Sequence, residues 1–263
     1  MKLSRRVALG GVQMDGLDVS VVIRGMDPGT AKKNVQTVSL MGGAGSRVTG
    51  KHYESIEASV TYAIMIPKKR LAERRAVFDK VNAWALAGGW LEMNCMAGRH
   101  LYVEDVTVPA SGDLGDWDSE FTITFHGYGV PFWQDVTETE AEIAESDEGA
   151  GTITVPGMTE TVCDAEITNE GSSTIDTMAV SVGNSVFSFA NLGLAAGEKL
   201  KISHAEDGTL KIMIYTGTLY SRSAMDKRTG GSADDLNAKP GANAITITGG
   251  TVSATVSCCG RYL

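Results

Sequence analysis

Cysteine is scarce in this chain. The 263 residues include four, at Cys95, Cys163, Cys258 and Cys259. None has the C-x-x-C spacing of a zinc or redox motif. Cys258 and Cys259 are neighbours whose side chains on a strand point to opposite faces, so bridging them would require strain. All four are read as small, buried, reduced thiols made in a reducing compartment. Aromatic residues make up only 6% of the chain while glycine occurs 31 times. That balance suits many short strands and tight turns and argues against a helical bundle. No apolar run approaches the length of a membrane span, so no membrane partner is expected. The opening MKLSRRVALGGVQ is basic but lacks an apolar core of signal-peptide length, and it reads as an N-terminal strand.

Catalytic and metal signatures are also missing. The four histidines, His52, His100, His126 and His204, show no H-x-x-x-H or H-E-x-x-H spacing. His126 lies on the strand face opposite Phe121 and Phe125 and is expected at solvent or an interface. Met41 to Ser46 is glycine-rich but lacks the G-K-[ST] ending of a phosphate loop. Asp234-Asp235 is an acidic pair without the repeated oxygen ligands that a calcium loop needs. No nucleophile, base and orienting group stand together, and no carboxylate pair marks a wall hydrolase. The chain is therefore read as having no catalytic residues, no metal and no cofactor. The net charge of −9 is unevenly placed, at +1 over residues 1–134 and −10 over residues 135–263. Specific nucleic-acid binding by the second half is argued against, because phosphate neutralisation needs clustered Lys and Arg.

What is present centres on Ser59 to Trp90. Ser59 to Ile66 alternates, with Val60, Tyr62 and Ile64 on one side, and Pro67 stops the strand. From about Lys68 to Ala87 the period becomes helical, and Leu71, Phe78, Val81 and Ala85 form one face, widened by Val77 and Trp84. Gly88-Gly89 supplies the positive φ of a helix end. A lone amphipathic helix among strands must cover a sheet, which makes these four residues the expected packing contacts.

The remaining chain reads as strands. Residues 3–24 are expected to form a hairpin around the Met14-Asp15-Gly16 turn. Gly25 to Tyr53 holds six glycines and one apolar cluster, Val38 to Met41, without clear periodicity. It is either a surface loop or an arm that orders on a neighbouring subunit. Further strands are expected at Trp90–Met93, Leu101–Val108 and Glu120–Tyr128. In 135–148, seven of fourteen residues are acidic and none is basic, which reads as a solvated linker. Three parts follow: 1–134, a linker at 135–150, and an all-β domain at 151–263. Strands in the last part are expected at Gly151–Val155, Thr161–Thr168, Thr177–Val182, Ser185–Phe189, Lys199–Ser203, Leu210–Tyr215, Ala244–Thr248 and Thr251–Cys258. Regular turns between them suggest a β-sandwich. The long connection Gly217 to Asn243 is expected to cross between its sheets.

Several segments carry a resemblance: SIEASVTYAI, LAERRAVFDKVNAWA, GGWLEMN and WDSEFTITFHGYGVPFWQ, in that order. They resemble the siphovirus and prophage distal tail protein (Dit) family over about residues 3–134. The second half is similar more weakly, through Gly241 to Gly249 and Arg261-Tyr262-Leu263, with Tyr262 where the family typically has Trp. The resemblance implies a mainly-β protein. Its first domain would be a tail-tube-like β-barrel or sandwich with one flanking helix, and its second a galectin-like β-sandwich. It implies a homo-hexameric ring at the virion tail tip, assembled in the bacterial host cytoplasm and hollow for DNA. The ring would join the tail-tube protein to the tail-associated hub protein and, in some relatives, to a receptor-binding protein. Gly25–Tyr53 would then be the inter-subunit arm, with Val38, Leu40, Met41, Gly42, Gly43 and Val48 as its contact residues. An alternative is a host carbohydrate-binding role for residues 151–263. Their aromatics are few: Phe187, Phe189, Tyr215, Tyr220 and Tyr262.

Overall fold

The strand Ile56–Ile64 lies at the centre of the first unit because its alternate residues Ile56, Ala58, Val60, Tyr62 and Ile64 are all but inaccessible to solvent. This computed structural model describes residues 5–39, 46–110, 120–231 and 234–263. The chain divides into two units between Trp133 and Gln134.

In the first unit the strands are β1 (Val7–Leu9), β2 (Val12–Gln13), β3 (Val21–Asp27), β4 (Lys33–Ser39), β5 (Ser46–Tyr53) and β6 (Ile56–Ile64). After the helix α1 (Leu71–Ala85) come β7 (Gly89–Met93), β8 (Arg99–Val103), β9 (Asp105–Thr107) and β10 (Glu120–Gly127). One antiparallel sheet has the order β3-β6-β10-β9. In another, β2, β1, β7 and β8 are successive neighbours. Strands β4 and β5 pair with each other in a two-stranded sheet. The sheets are open, so the barrel form of the expected first domain does not occur.

The β6–β10 ladder runs through eight opposed pairs, from Glu120↔Ala63 to Gly127↔Ile56. It places Phe121, Ile123 and Phe125 on the same buried side as Tyr62 and Val60. Helix α1 covers this surface. Phe78 meets Phe121 edge-on at 5.1 Å between ring centres, and Trp84 meets Phe125 at 6.3 Å. The indole of Trp84 also donates to the Val12 carbonyl at 3.0 Å. Phe78, Val81 and Ala85 are buried. Leu71, expected on the same face, is 52% exposed instead. Arg74 fills the buried position of the first turn. Its side chain points back toward the helix start, and its Nη1 donates to the Ile66 carbonyl at 2.7 Å. Leu71 lies at the overhanging end. Gly88 and Gly89 end the helix with φ of 64° and 98°.

Three local expectations are corrected in this unit. Residues 3–24 do not form one hairpin: β1 turns through Gly10-Gly11 onto β2, Met14–Gly16 is a 3-10 turn, and β3 joins β6 in a different sheet. The expected strand Leu101–Val108 breaks at Glu104, and its halves serve two sheets. The Glu104 carboxylate accepts from the Tyr128 and Gly129 amides at 2.5 and 2.7 Å, which fixes the break. Cys95 is exposed and Cys259 half-buried, so only Cys163 and Cys258 are the buried thiols expected of all four.

Short strand β11 (Trp133–Asp135) lies at the division between units. The second unit contains β12 (Thr139–Ser146), β13 (Gly149–Val155), β14 (Thr161–Val162), β15 (Asp164–Asn169), β16 (Ile175–Val182) and β17 (Ser185–Leu194). It continues with β18 (Glu198–His204), β19 (Leu210–Thr216), β20 (Leu219–Ser223), β21 (Arg228–Gly231), β22 (Asn237–Ala238), β23 (Gly241–Thr248), β24 (Val252–Cys258) and β25 (Arg261–Tyr262). Two sheets, β12-β24-β15-β18-β19-β20 and β13-β23-β16-β17-β21, enclose one core. Ile167, Leu200, Ile212 and Val256 from the first meet Val180, Phe187, Ile245 and Ile247 from the second. The unit is a β-sandwich. Its long connection does cross, since β20 lies in one sheet and β21 in the other.

The acidic linker is overturned. Its Thr139–Ser146 portion is β12, an edge strand paired to β24. A charge-rich segment forms a strand here because its period is two. Ile143 is buried while Glu140 and Glu142 face out, opposite the neutral hydroxyls of Ser257 and Thr255.

Phe78→Ala is expected to destabilise the protein by about 3–5 kcal/mol, the usual range for deleting a buried phenyl. Leu71→Ala should change stability by less than about 1 kcal/mol, since it is half exposed. Urea unfolding of both variants checks the pair.

Candidate assembly surface

The hairpin of β4 and β5 rises from a built base. Asp27 accepts from the Gly29 amide at 2.9 Å, closing an Asx turn. Gly29 has φ of 67°, and a Cβ there would collide with the Glu57 carbonyl, so only glycine fits. The indole of Trp133 donates to the Pro28 carbonyl at 2.9 Å. Ala31, Val130 and Phe132 form a small buried cluster, and Tyr53 meets Phe132 edge-on at 4.8 Å. At the mouth of the hairpin the Glu54 amide donates to the Lys32 carbonyl at 2.8 Å, and Asn34 donates to the Glu54 carboxylate at 3.0 Å.

Beyond that base the hairpin is ladder without core. Seven residue pairs join the two strands, with a bulge at Gln36/Thr37. Val35, Val38 and Val48 are 44%, 56% and 45% exposed. These are β-branched residues in strand conformation that no sheet or helix covers among the described residues. Leu40, Met41, Gly42 and Gly43, expected as contacts, lie outside the described residues. No period of two marks this segment in sequence, because Val35 and Val38 are three residues apart and β5 holds only Val48. The composition of the segment carries one signal of its own. Residues 31–53 hold Lys32, Lys33, Arg47 and Lys51 and no Asp or Glu, so the hairpin is purely basic.

The titratable clusters of the second unit act as structural ties. His204, at the end of β18, is held at both ring nitrogens. In the imidazolium, Nδ1 donates to Asp164 at 2.8 Å and Nε2 to Asp235 at 3.3 Å. Its backbone amide also donates to Asp164 at 3.1 Å. Burial opposes the charge on His204, but the two carboxylates outweigh it and raise its pKa. With a carboxylate on each nitrogen, this ring has no free position for a nucleophile's proton. Of the Asp234-Asp235 pair, Asp235 is thus a histidine tie, while the Asp234 backbone carbonyl accepts from Arg228 at 2.8 Å, and no cluster of metal-ligating side chains occurs among the described residues. Glu198 receives the guanidinium of Arg222 at 2.8 and 2.9 Å and the Ala195 amide at 2.9 Å. The Arg222 hydrogen bonds lower its carboxyl to about 2 despite its burial. His126 is half-buried and within hydrogen-bond reach of Thr107 at 3.0 Å, on the β10 face away from the core.

A mainly-β chain of two units, an open-sheeted one carrying a helix and a hairpin and a sandwich after it, defines an architecture also seen in solved structures. The SPP1 Dit (gp 19.1) protein, described as a paradigm of the hub adsorption apparatus in phages that infect Gram-positive bacteria, has a TM-score of 0.67 to this chain at 12% identity. The match covers 98% of this chain and 99% of the SPP1 protein, so the two share a fold. The phage P2 baseplate in its activated conformation with Ca gives a TM-score of 0.46 at 9% identity, covering 97% of this chain and 98% of that one. No protein-family model and no curated protein matches the sequence.

The two ties predict opposite pH limits for stability. Glu198 has a folded value below the ordinary carboxylate value of about 4.3. Its contribution is present above about pH 4.3 and is lost as pH falls toward 2. His204 has a folded value above its ordinary value of about 6.5. Its contribution is full below that pH and is lost as pH rises through the folded value. Unfolding free energies measured from pH 2 to 9 should show both slopes. Glu198→Gln should remove the acid one, and His204→Gln the neutral-to-alkaline one.

Proposed function

We propose that this chain is a distal tail protein, a structural component of a phage tail tip without catalytic activity. The observation that carries the reading is the fold shared with the SPP1 hub protein across essentially the whole of both chains. In this reading six copies form a ring through the β4–β5 hairpins and the open edges of their sheets. One face of the ring docks the tail-tube protein and the other the tail-associated hub protein. A receptor-binding protein is carried outside, and DNA passes through the centre. The ring belongs to the virion and is built in the bacterial host cytoplasm.

Physical features of the hairpin support its role as the inter-subunit arm. Each of its two strands keeps one side of its backbone without a ladder, which is a template for pairing with another chain. Its exposed valines add apolar area that burial at an interface would stabilise by about 25 cal/mol per Å². Val38 and Val48 are the described contact residues in this reading, to which it adds Leu40, Met41, Gly42 and Gly43 from outside the described residues. The glycan-binding alternative has thinner support. Phe187 and Phe189 are buried in the sandwich core, which leaves Tyr220, 58% exposed beside Tyr215, as its main stacking surface.

Native mass measurement and negative-stain imaging over a concentration series, alone and with the tube and hub partners, should show sixfold rings. A strict monomer with both partners present overturns the reading. Val38→Asp combined with Val48→Asp should abolish rings while shifting the melting temperature by no more than about 2 °C, as expected of exposed positions.

A further inference from the structure

Cys163 immediately precedes β15, and Cys258 ends β24, the strand paired with β15. The β15–β24 ladder opposes Asp164 to Ser257. Continuing that antiparallel register by one residue opposes Cys163 to Cys258. Both side chains point inward, with Ala165, Ile167, Ala254 and Val256, and their relative exposures are 0% and 4%. Opposed residues of an antiparallel pair have Cα atoms about 4.5–5.5 Å apart, inside the span of about 4.4–6.8 Å that a disulfide needs. The proximity of the two thiols raises the pKa of Cys163 and lowers that of Cys258. The Cys163 amide is committed to the Leu236 carbonyl at 2.7 Å, which holds its backbone in place. Cys258 is the last residue of β24, where the ladder ends and opening requires the fewest broken bonds.

We infer that Cys163 and Cys258 are a redox pair that closes to a cross-strand disulfide when the protein passes from a reducing to an oxidising medium. The oxidant is a small-molecule disulfide. The Cys258 thiolate attacks one of its sulfurs, that S–S bond breaks, and one thiolate leaves. The Cys163 thiolate then attacks the Cys258 sulfur of the mixed disulfide and expels the second thiolate. The two cysteine protons end on the two departing thiolates, and two electrons pass from the pair to the oxidant. The new bond ties the second strand of the six-stranded sheet, β24, to the start of the third, β15, and restricts the unfolded chain between them. Cys259, which follows the end of β24, is excluded as the partner of Cys258 because adjacent cysteines bridge each other only with strain.

The full-length variant Cys95→Ser, Cys259→Ser retains only this pair and leaves the core untouched. It is equilibrated with oxidised glutathione until its composition stops changing, then denatured, alkylated and weighed. The expected product lacks two hydrogen atoms, takes up no alkylating agent, and yields a peptide linking Cys163 to Cys258. Its melting temperature rises by roughly 5–15 °C, as a long closed loop implies, and reductant reverses both changes. In the wild-type chain, peptide mapping should find the same link. Two free thiols at equilibrium, a stable glutathione adduct, a dimer linked through either cysteine, or a wild-type bond through Cys259 would each overturn the inference.

Discussion

One face of the β3-β6-β10-β9 sheet has to be kept from water, and much of the first unit follows from that requirement. The β6–β10 ladder sets Val60 and Tyr62 beside Ile123 and Phe121, a surface too apolar to leave exposed. The chain supplies one long helix to cover it. The cover works through aromatic contacts, Phe78 on Phe121 and Trp84 on Phe125, and these fix the helix on the sheet beyond simple burial. Arg74 shows how demanding the arrangement is. A guanidinium is taken fully out of solvent to satisfy the Ile66 carbonyl where the chain turns from strand to helix.

Legibility followed periodicity. Strand β6, helix α1, strand β10 and most strands of the sandwich were readable because their apolar residues repeat at two or 3.6 along the chain. Three kinds of element were not. Strand β12 was hidden by composition, since seven acids in fourteen residues outweigh a single buried Ile143. The hairpin was hidden because its valines face solvent, which removes the apolar-in, polar-out contrast that marks a strand. The partners of β1 and β3 were hidden because pairing across sheets is a tertiary choice. Met14-Asp15-Gly16 looked like a hairpin turn, but the ladder of β6 competed for β3 and won.

The hairpin proposed as an assembly surface was legible only in part. Its location was visible as a glycine-rich interruption, and its register was not. The base depends on Trp133, more than a hundred residues from the Pro28 carbonyl it holds, and no local reading of either segment connects them. The second unit taught a related lesson about chemistry. His204 and Asp234-Asp235 looked like isolated polar residues in sequence. Folding brings Asp235 and Asp164 onto the two nitrogens of one ring, so the group serves as a clasp between distant segments.

Strand β12 has an effect beyond completing its sheet. It forms the outer border of the six-stranded layer, and Glu140 and Glu142 project from it. Were a second copy to approach along this border, carboxylates would confront their own duplicates at strand spacing, and mutual repulsion would block a continuous intermolecular sheet. The guard is electrostatic, so it weakens as salt screens the charges or acid neutralises them. A chain with ample exposed backbone elsewhere thus has one border sealed against fibre-like stacking.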